Sequence, residues 1–177
     1  MPRVGVIDTS TFINLSHINR HDLLDKLKFY IATTVYVENE IRDRATEKVR
    51  SKFNSLKTRE LIKHVELTVE NLIEMARVPE SKRISNAELS CLVKAKEFQG
   101  VTLCDDRTAN KFATKFIELP EVIGIDRLII EAFCESILSD GEVGDYQKVL
   151  ANNRCKFRFD LQKIASEERA KRVYSGN

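Results

Sequence analysis

The sequence predicts an α/β fold, a three-layer sandwich built around a mostly parallel sheet. Two observations carry that prediction. Short apolar runs, Arg3–Ile7, Phe29–Thr33 and Val101–Cys104, alternate with longer segments of helical periodicity. Two of the runs end in carboxylates, Asp8 and the pair Asp105-Asp106, and the C-terminal edge of a buried strand is where open α/β sheets bind ligands.

Taken in order, Arg3–Asp8 alternates, then runs apolar to end in a carboxylate, and reads as a central parallel strand. Thr9–Leu15 follows as a short helix that Thr9, Ser10 or Thr11 is able to cap. His21–Lys28 is predicted helical from the spacing of Leu23, Leu24 and Leu27, and Phe29–Thr33 is a second strand. Thr34 opens a helix whose inner face carries Val37 and Ile41. Residues 44–77 read as almost wholly helical, with breaks near Asn54-Ser55 and His64-Val65, and with Val65–Val69 as an alternative strand. Pro79–Ser85 is a loop, after which Ser85 or Asn86 caps a helix to Gln99 that Gly100 stops. Val101–Cys104 is a short strand, Arg107–Phe116 a helix, and Pro120–Ile125 leads into an apolar helix at Arg127–Leu138. Ser139–Gly144 reads as a linker before a helix at Tyr146–Asn152 and a charged helical end. The 177 residues fit one domain, 1–177, in which 139–177 form a charged helical extension packed on or trailing the core.

Composition narrows the chemistry. The chain is 42% hydrophobic and 32% charged, as in soluble globular proteins. No apolar run approaches the ~20 residues that span a bilayer, and Met1-Pro-Arg-Val enters a strand with no apolar leader. A cytoplasmic protein with no membrane partner is expected. Cys91, Cys104, Cys134 and Cys155 form no Cys-x-x-Cys pair, and His17, His21 and His64 have no neighbour at metal-ligand spacing. Free thiols are therefore expected and a zinc hydrolase is disfavoured. There is no glycine-rich phosphate loop, no Gly-x-Ser-x-Gly elbow and no RNA-recognition sheet motif, and the phenylalanines read as core.

Carboxylates carry the positive argument. Asp8 and Asp105-Asp106 sit at strand ends, Glu40 flanks the inner stripe of its helix, and Glu88 lies in a first helical turn. Acids converging on one point repel unless a cation neutralises them, which points to Mg²⁺ or Mn²⁺ and a phosphate substrate. Each acid also has a plain structural use. Asp8 can cap a helix, and Glu88 suits a helix dipole wherever it faces. Of the adjacent pair, Asp106 is the expected ligand while its neighbour caps the next helix. Glu40 is preferred to Glu38, which can reach solvent. Thr9 and Ser10 are placed to orient the Asp8 carboxylate or a metal-bound water. Net charge is +2, yet residues 41–63 hold eight Lys/Arg against three acids, and the stretch from Arg154 onward seven against three. Arg42, Arg44, Lys48, Arg50 and Arg107 are the candidate contacts to a polyanion.

The order and spacing of these acids resemble a PIN-domain nuclease. Val6-Ile-Asp-Thr-Ser-Thr-Phe-Ile-Asn-Leu15 resembles the family's first strand and turn, and Ile31 to Ile41 its second acidic motif, with the acid on Glu40. Ala87–Ala95 resembles the third motif and Leu103–Ala113 the fourth, while Ile123–Ala132 is similar to a subgroup related to toxin–antitoxin ribonucleases. Two positions depart from the pattern: Glu88 stands where many members have Asp, and Cys104 where a small polar residue is common. The resemblance implies that Asp8, Glu40, Glu88 and Asp106, with Asp105 close by, bind one or two Mg²⁺ or Mn²⁺ ions. It further implies hydrolysis of RNA by a metal-activated water, a dimeric state and a small antitoxin partner. A PIN-like scaffold that binds RNA or protein with weakened catalysis, and a small-molecule phosphohydrolase, are the competing expectations.

Overall fold

The computed structural model describes residues 3–79, 84–112 and 121–175, with the backbone alone at 107 and 110. Five parallel strands form one sheet in the order β3-β2-β1-β4-β5. They are β1 (Arg3–Ile7), β2 (Phe29–Thr33), β3 (Ile62–His64), β4 (Val101–Leu103) and β5 (Val122–Ile123). The helices are α1 (Thr9–His17), α2 (Asp22–Lys26), α3 (Val35–Arg44), α4 (Glu47–Thr58), α5 (Val69–Ala76), α6 (Asn86–Glu97), α7 (Arg107–Phe112), α8 (Ile125–Cys134), α9 (Asp140–Asn152) and α10 (Leu161–Tyr174). This is the α/β three-layer sandwich that the alternating pattern predicts.

Strand order determines where a site can form. From β1 the chain winds outward through β2 to β3, then returns to the other side of β1 with β4 and continues to β5. The connections leaving β1 and β4 therefore diverge, and a crevice opens between their C-terminal ends. Gly5 of β1 pairs with Ile31 on one side and Val101 on the other, so β1 is the central strand. Val6 and Ile7 are fully buried beside Leu103, and α1 drives Phe12 and Leu15 into the same core. Helix α6 packs on β1 and β4 and against α3 and α5, while α8 packs with α1, α2, α9 and α10.

Four elements differ from the sequence reading. The supposed helix over 44–77 is α4, then β3, then α5; the strand lies at Ile62–His64 rather than Val65–Val69. Only Ile62 of β3 is buried, so no alternation marks it. The apolar helix expected from Arg127 begins at Ile125 and ends at Cys134, just after β5. Gly100 does not itself make the reversal after α6, because Gln99 takes the left-handed conformation (φ 51°). Glycine is needed at 100 for close approach: a Cβ there would meet the Val4 carbonyl oxygen at a forbidden 2.4 Å. Parts of the 79–85 loop, of the predicted 107–116 helix and of the C-terminal tail lie outside the described residues.

Ser139–Gly144, expected as a linker, is the cap and first turn of α9. The Ser139 side chain accepts from the Glu142 amide, and Glu142 reaches back to the Ser139 amide, a capping box written in the sequence as Ser-x-x-Glu. Ser139→Ala should therefore cost about 1 kcal/mol and lower the melting temperature by about 2–4 °C in a circular dichroism melt. A true linker would tolerate the change with no shift. Helix α10 lies along α8, and its Arg172 and Arg169 bond Glu135 and Ser136 just beyond the end of α8.

Candidate metal centre

Asp8 follows the buried end of β1 and caps α1. One of its oxygens, Oδ2, accepts from the Ser10 amide (3.1 Å) and the Ser10 hydroxyl (2.6 Å). The other, Oδ1, is buried and has no hydrogen-bond partner among the described residues. Asp8 is only 3% exposed, and an unpaired carboxylate oxygen in that setting is costly without a cation. Burial pushes its pKa above the ordinary carboxylate value; hydrogen bonds from Ser10 and Thr9 oppose the rise, and the charge of Glu40 adds to it.

Glu88 stands opposite, on the first turn of α6. It completes a capping box, its Oε2 accepting from the Ser85 amide at 2.8 Å. It also faces the crevice: a carboxylate oxygen of Asp8, one of Glu88 and the Cys104 sulfur all lie within 4.8 Å of one another. Burial raises the Glu88 pKa, and Asp8 and Asp106 raise it further. The choice between helix cap and crevice-facing acid is thus resolved as both. Cys104 directly follows β4, with Sγ 3.6 Å from Asp8 Oδ2. Burial, reinforced by Asp8, holds this thiol protonated, so it donates to the carboxylate.

The adjacent acids divide their work in an unexpected way. Asp106, not its neighbour, caps α7, with Oδ1 accepting from the amides of Thr108 (2.6 Å) and Ala109 (3.0 Å). Asp105 turns into the protein. Its carboxylate accepts from Asn14 Nδ2 (2.7 Å), Thr11 Oγ1 (3.1 Å) and the Ile125 amide (2.5 Å). Its own amide donates to Ser10 Oγ. Asp105 therefore ties the end of β4 to α1 and α8, and burial raises its pKa despite those donors.

Glu40 lies near Asp8 but outside the tight cluster. Thr9 Oγ1 donates to its Oε2 (2.8 Å), and Arg44 pairs with its Oε1 (2.8 Å). Thr9 thus orients Glu40, while Ser10 orients Asp8. Glu38 is not left to solvent; it binds Lys57 and His64 on another face.

Next to Asp8 lies a cleft of about 890 Å³ whose lining includes Glu88, Cys104, Asp105 and Asp106 together with the segment Asn153–Phe159. Among the proposed polyanion contacts, Arg42, Arg44, Lys48 and Arg50 do not line it. Arg42 pairs with Asp43, and Arg50 is committed to the carbonyls of Arg42 and Ala45 and to Glu47. Lys48 is exposed, and the Arg107 side chain lies outside the described residues.

A family model described as a PIN domain matches residues 4–152. The chain belongs to the PIN-domain family. Comparison with curated proteins gives no significant match. The PIN match covers the acids of the cleft and stops just before its lining segment Asn153–Phe159. Two contributions to the site escaped the sequence reading: Cys104 is a member of the cluster rather than a mere departure, and Asn14 holds Asp105. The basic stretch from Arg154 onward was noted in the sequence, but its individual residues were not among the candidate polyanion contacts; over 154–159 it reads Arg-Cys-Lys-Phe-Arg-Phe, basic and non-basic residues in strict alternation.

Proposed function

We propose that this protein is a divalent-metal-dependent endoribonuclease that hydrolyses phosphodiester bonds in the cleft beside Asp8. The observation that carries the reading is the buried Asp8 Oδ1, without a hydrogen-bond partner among the described residues, on a carboxylate that clusters with Glu88 at the diverging ends of β1 and β4. Carboxylate oxygens are the donors that Mg²⁺ and Mn²⁺ prefer, and burial, with smaller contributions from neighbouring acids, raises the pKa values of Asp8 and Glu88, a cost that a bound cation would offset. Asp8, Glu88 and Asp106 would hold the cation, with Glu40 at the edge and Asp105 as the brace. When bound, such a cation supplies an acidified water for attack on phosphorus and offsets charge on the leaving oxygen.

The residues themselves do the positioning. Ser10 engages only Oδ2 of Asp8, so Oδ1 would be the oxygen available to a cation. The Cys104 thiol donates to the same Oδ2. Asp105 fixes the distance between the ends of β1 and β4 through Thr11 and Asn14. RNA as the substrate, a dimeric state and a small antitoxin partner from the toxin–antitoxin branch are supported by the sequence resemblance. Among the described residues no helix is long and apolar enough to cross a membrane.

The test is cleavage of a fluorophore-labelled single-stranded RNA with Mn²⁺, with Mg²⁺ and with EDTA. Products with either metal and none with EDTA are expected. Absence of cleavage, together with no Mn²⁺ titration heat that depends on Asp8, would favour the scaffold reading.

A further inference from the structure

The segment that joins α9 to α10 lines the same cleft as Glu88, Asp105 and Asp106 and reads Arg154-Cys-Lys-Phe-Arg-Phe159. Arg154, Lys156 and Arg158 are all exposed, and none has an ion-pair or hydrogen-bond partner for its side chain among the described residues. Three exposed cations alternating along one short loop create a local positive potential that attracts a polyanion.

The residues between them supply the second observation. The rings of Phe157 and Phe159 stack with centroids 6.0 Å apart and planes at 30°. Phe157 packs against the hydrophobic core, whereas Phe159 is 37% exposed. Phe157 is therefore a fixed base on which Phe159 presents an aromatic face. The loop is anchored at both ends: Cys155 N donates to the Leu150 carbonyl, and Asp160 caps α10. Gln147 of α9 holds the first amide of α10 at 2.7 Å. An exposed ring face beside unpaired cations matches one ligand chemistry, in which flat rings alternate with phosphates.

We propose that the Arg154–Phe159 loop is a single-strand nucleic-acid grip. An unpaired base stacks on Phe159 while Arg154, Lys156 and Arg158 contact the flanking phosphates, so the backbone lies across the cleft towards Asp8 and Glu88. Only an unpaired base has a face free to stack on protein, so the grip selects single strands or loops over duplex. The proposal rests on reading the cleft as a nuclease site, and it adds a substrate class and its binding residues.

The experiment measures fluorescence anisotropy of a 5′-labelled decauridylate and of a labelled RNA duplex in EDTA, where cleavage does not intrude. Mn²⁺-dependent cleavage is followed separately. Phe159→Leu should weaken decauridylate binding about tenfold, the loss of one base stack, while Phe159→Trp retains it. Replacing Arg154, Lys156 and Arg158 by Ala should reduce the slope of log affinity against log salt by about 2, corresponding to three lost phosphate contacts. The duplex should bind more weakly than the single strand. Phe159 and the three cations are exposed, and unchanged circular dichroism melts would confirm that folding is intact. Wild-type affinity and slope in both variants would overturn the proposal even if the protein cleaves RNA, as would equal binding of duplex or failure to bind any oligonucleotide. Loop-dependent binding without cleavage would instead preserve the grip and sink the nuclease reading.

Discussion

Asp8→Asn is expected to lose cleavage and gain stability at once. On the activity side, the variant removes the negative charge of the carboxylate that clusters with Glu88. Loss of an outer partner of a metal ligand typically costs ~10–100-fold, so loss of the ligand itself should cost at least ~100-fold in Mn²⁺-dependent cleavage. On the stability side, Asn caps helices as well as Asp and retains an oxygen for Ser10. The variant also removes a charge that burial and Glu40 disfavour. The sign follows from the raised folded-state pKa: Asp8 contributes stability below the ordinary carboxylate pKa of about 4, and this is lost as pH rises through the higher folded value. In EDTA at neutral pH the variant should melt above the wild type, by about 2–4 °C for each kcal/mol relieved, and the two should converge in acid. Mn²⁺ should then raise the wild-type melting temperature and leave the variant unmoved. Undiminished cleavage, or a variant that melts lower in EDTA at neutral pH, would remove the basis for a cation at Asp8.

The adjacent acids should behave oppositely. Asp105→Ala orphans Asn14 Nδ2, Thr11 Oγ1 and the Ile125 amide in a buried setting. Unsatisfied buried donors cost about 1–3 kcal/mol each where the site does not relax, so a loss of about 3–5 kcal/mol is expected, lowering the melting temperature by roughly 10 °C. Asp106→Asn keeps the cap on Thr108 and Ala109 and should melt within about 2 °C of wild type while cleavage falls. A wild-type melt for Asp105→Ala would show that the brace does not bind α1 and α8 to β4.

What the sequence disclosed follows from burial. β1 and β4 were legible because a run of apolar residues ending in Asp suits a buried strand that stops at a crevice and suits little else. The diverging crossover then placed both acids at one such crevice. β3 was not legible, because a three-residue edge strand with one buried side chain leaves no periodicity. The helix at Tyr146–Asn152 was legible, but the first turns of α9 were missed for a different reason: Gly141 and Gly144 suggested a linker, while the Ser139-x-x-Glu142 box beside them indicated a helix start. Asp105 and Asp106 were inseparable by sequence, since adjacent residues share every local signal. Only the partners Thr11, Asn14 and Ile125, 94, 91 and 20 positions away, distinguish them. Phe159 reads as core because aromatics mostly are, and its exposed face emerges only when α9 and α10 are in place.

The reach of Glu88 back to the Ser85 amide makes this acid answer to two claimants. A cation drawing the carboxylate towards Asp8 would loosen its hold on that N–H. Occupancy would then be written into the backbone at the start of α6, where the solvent exchange rate of one amide proton would gauge whether the centre is loaded.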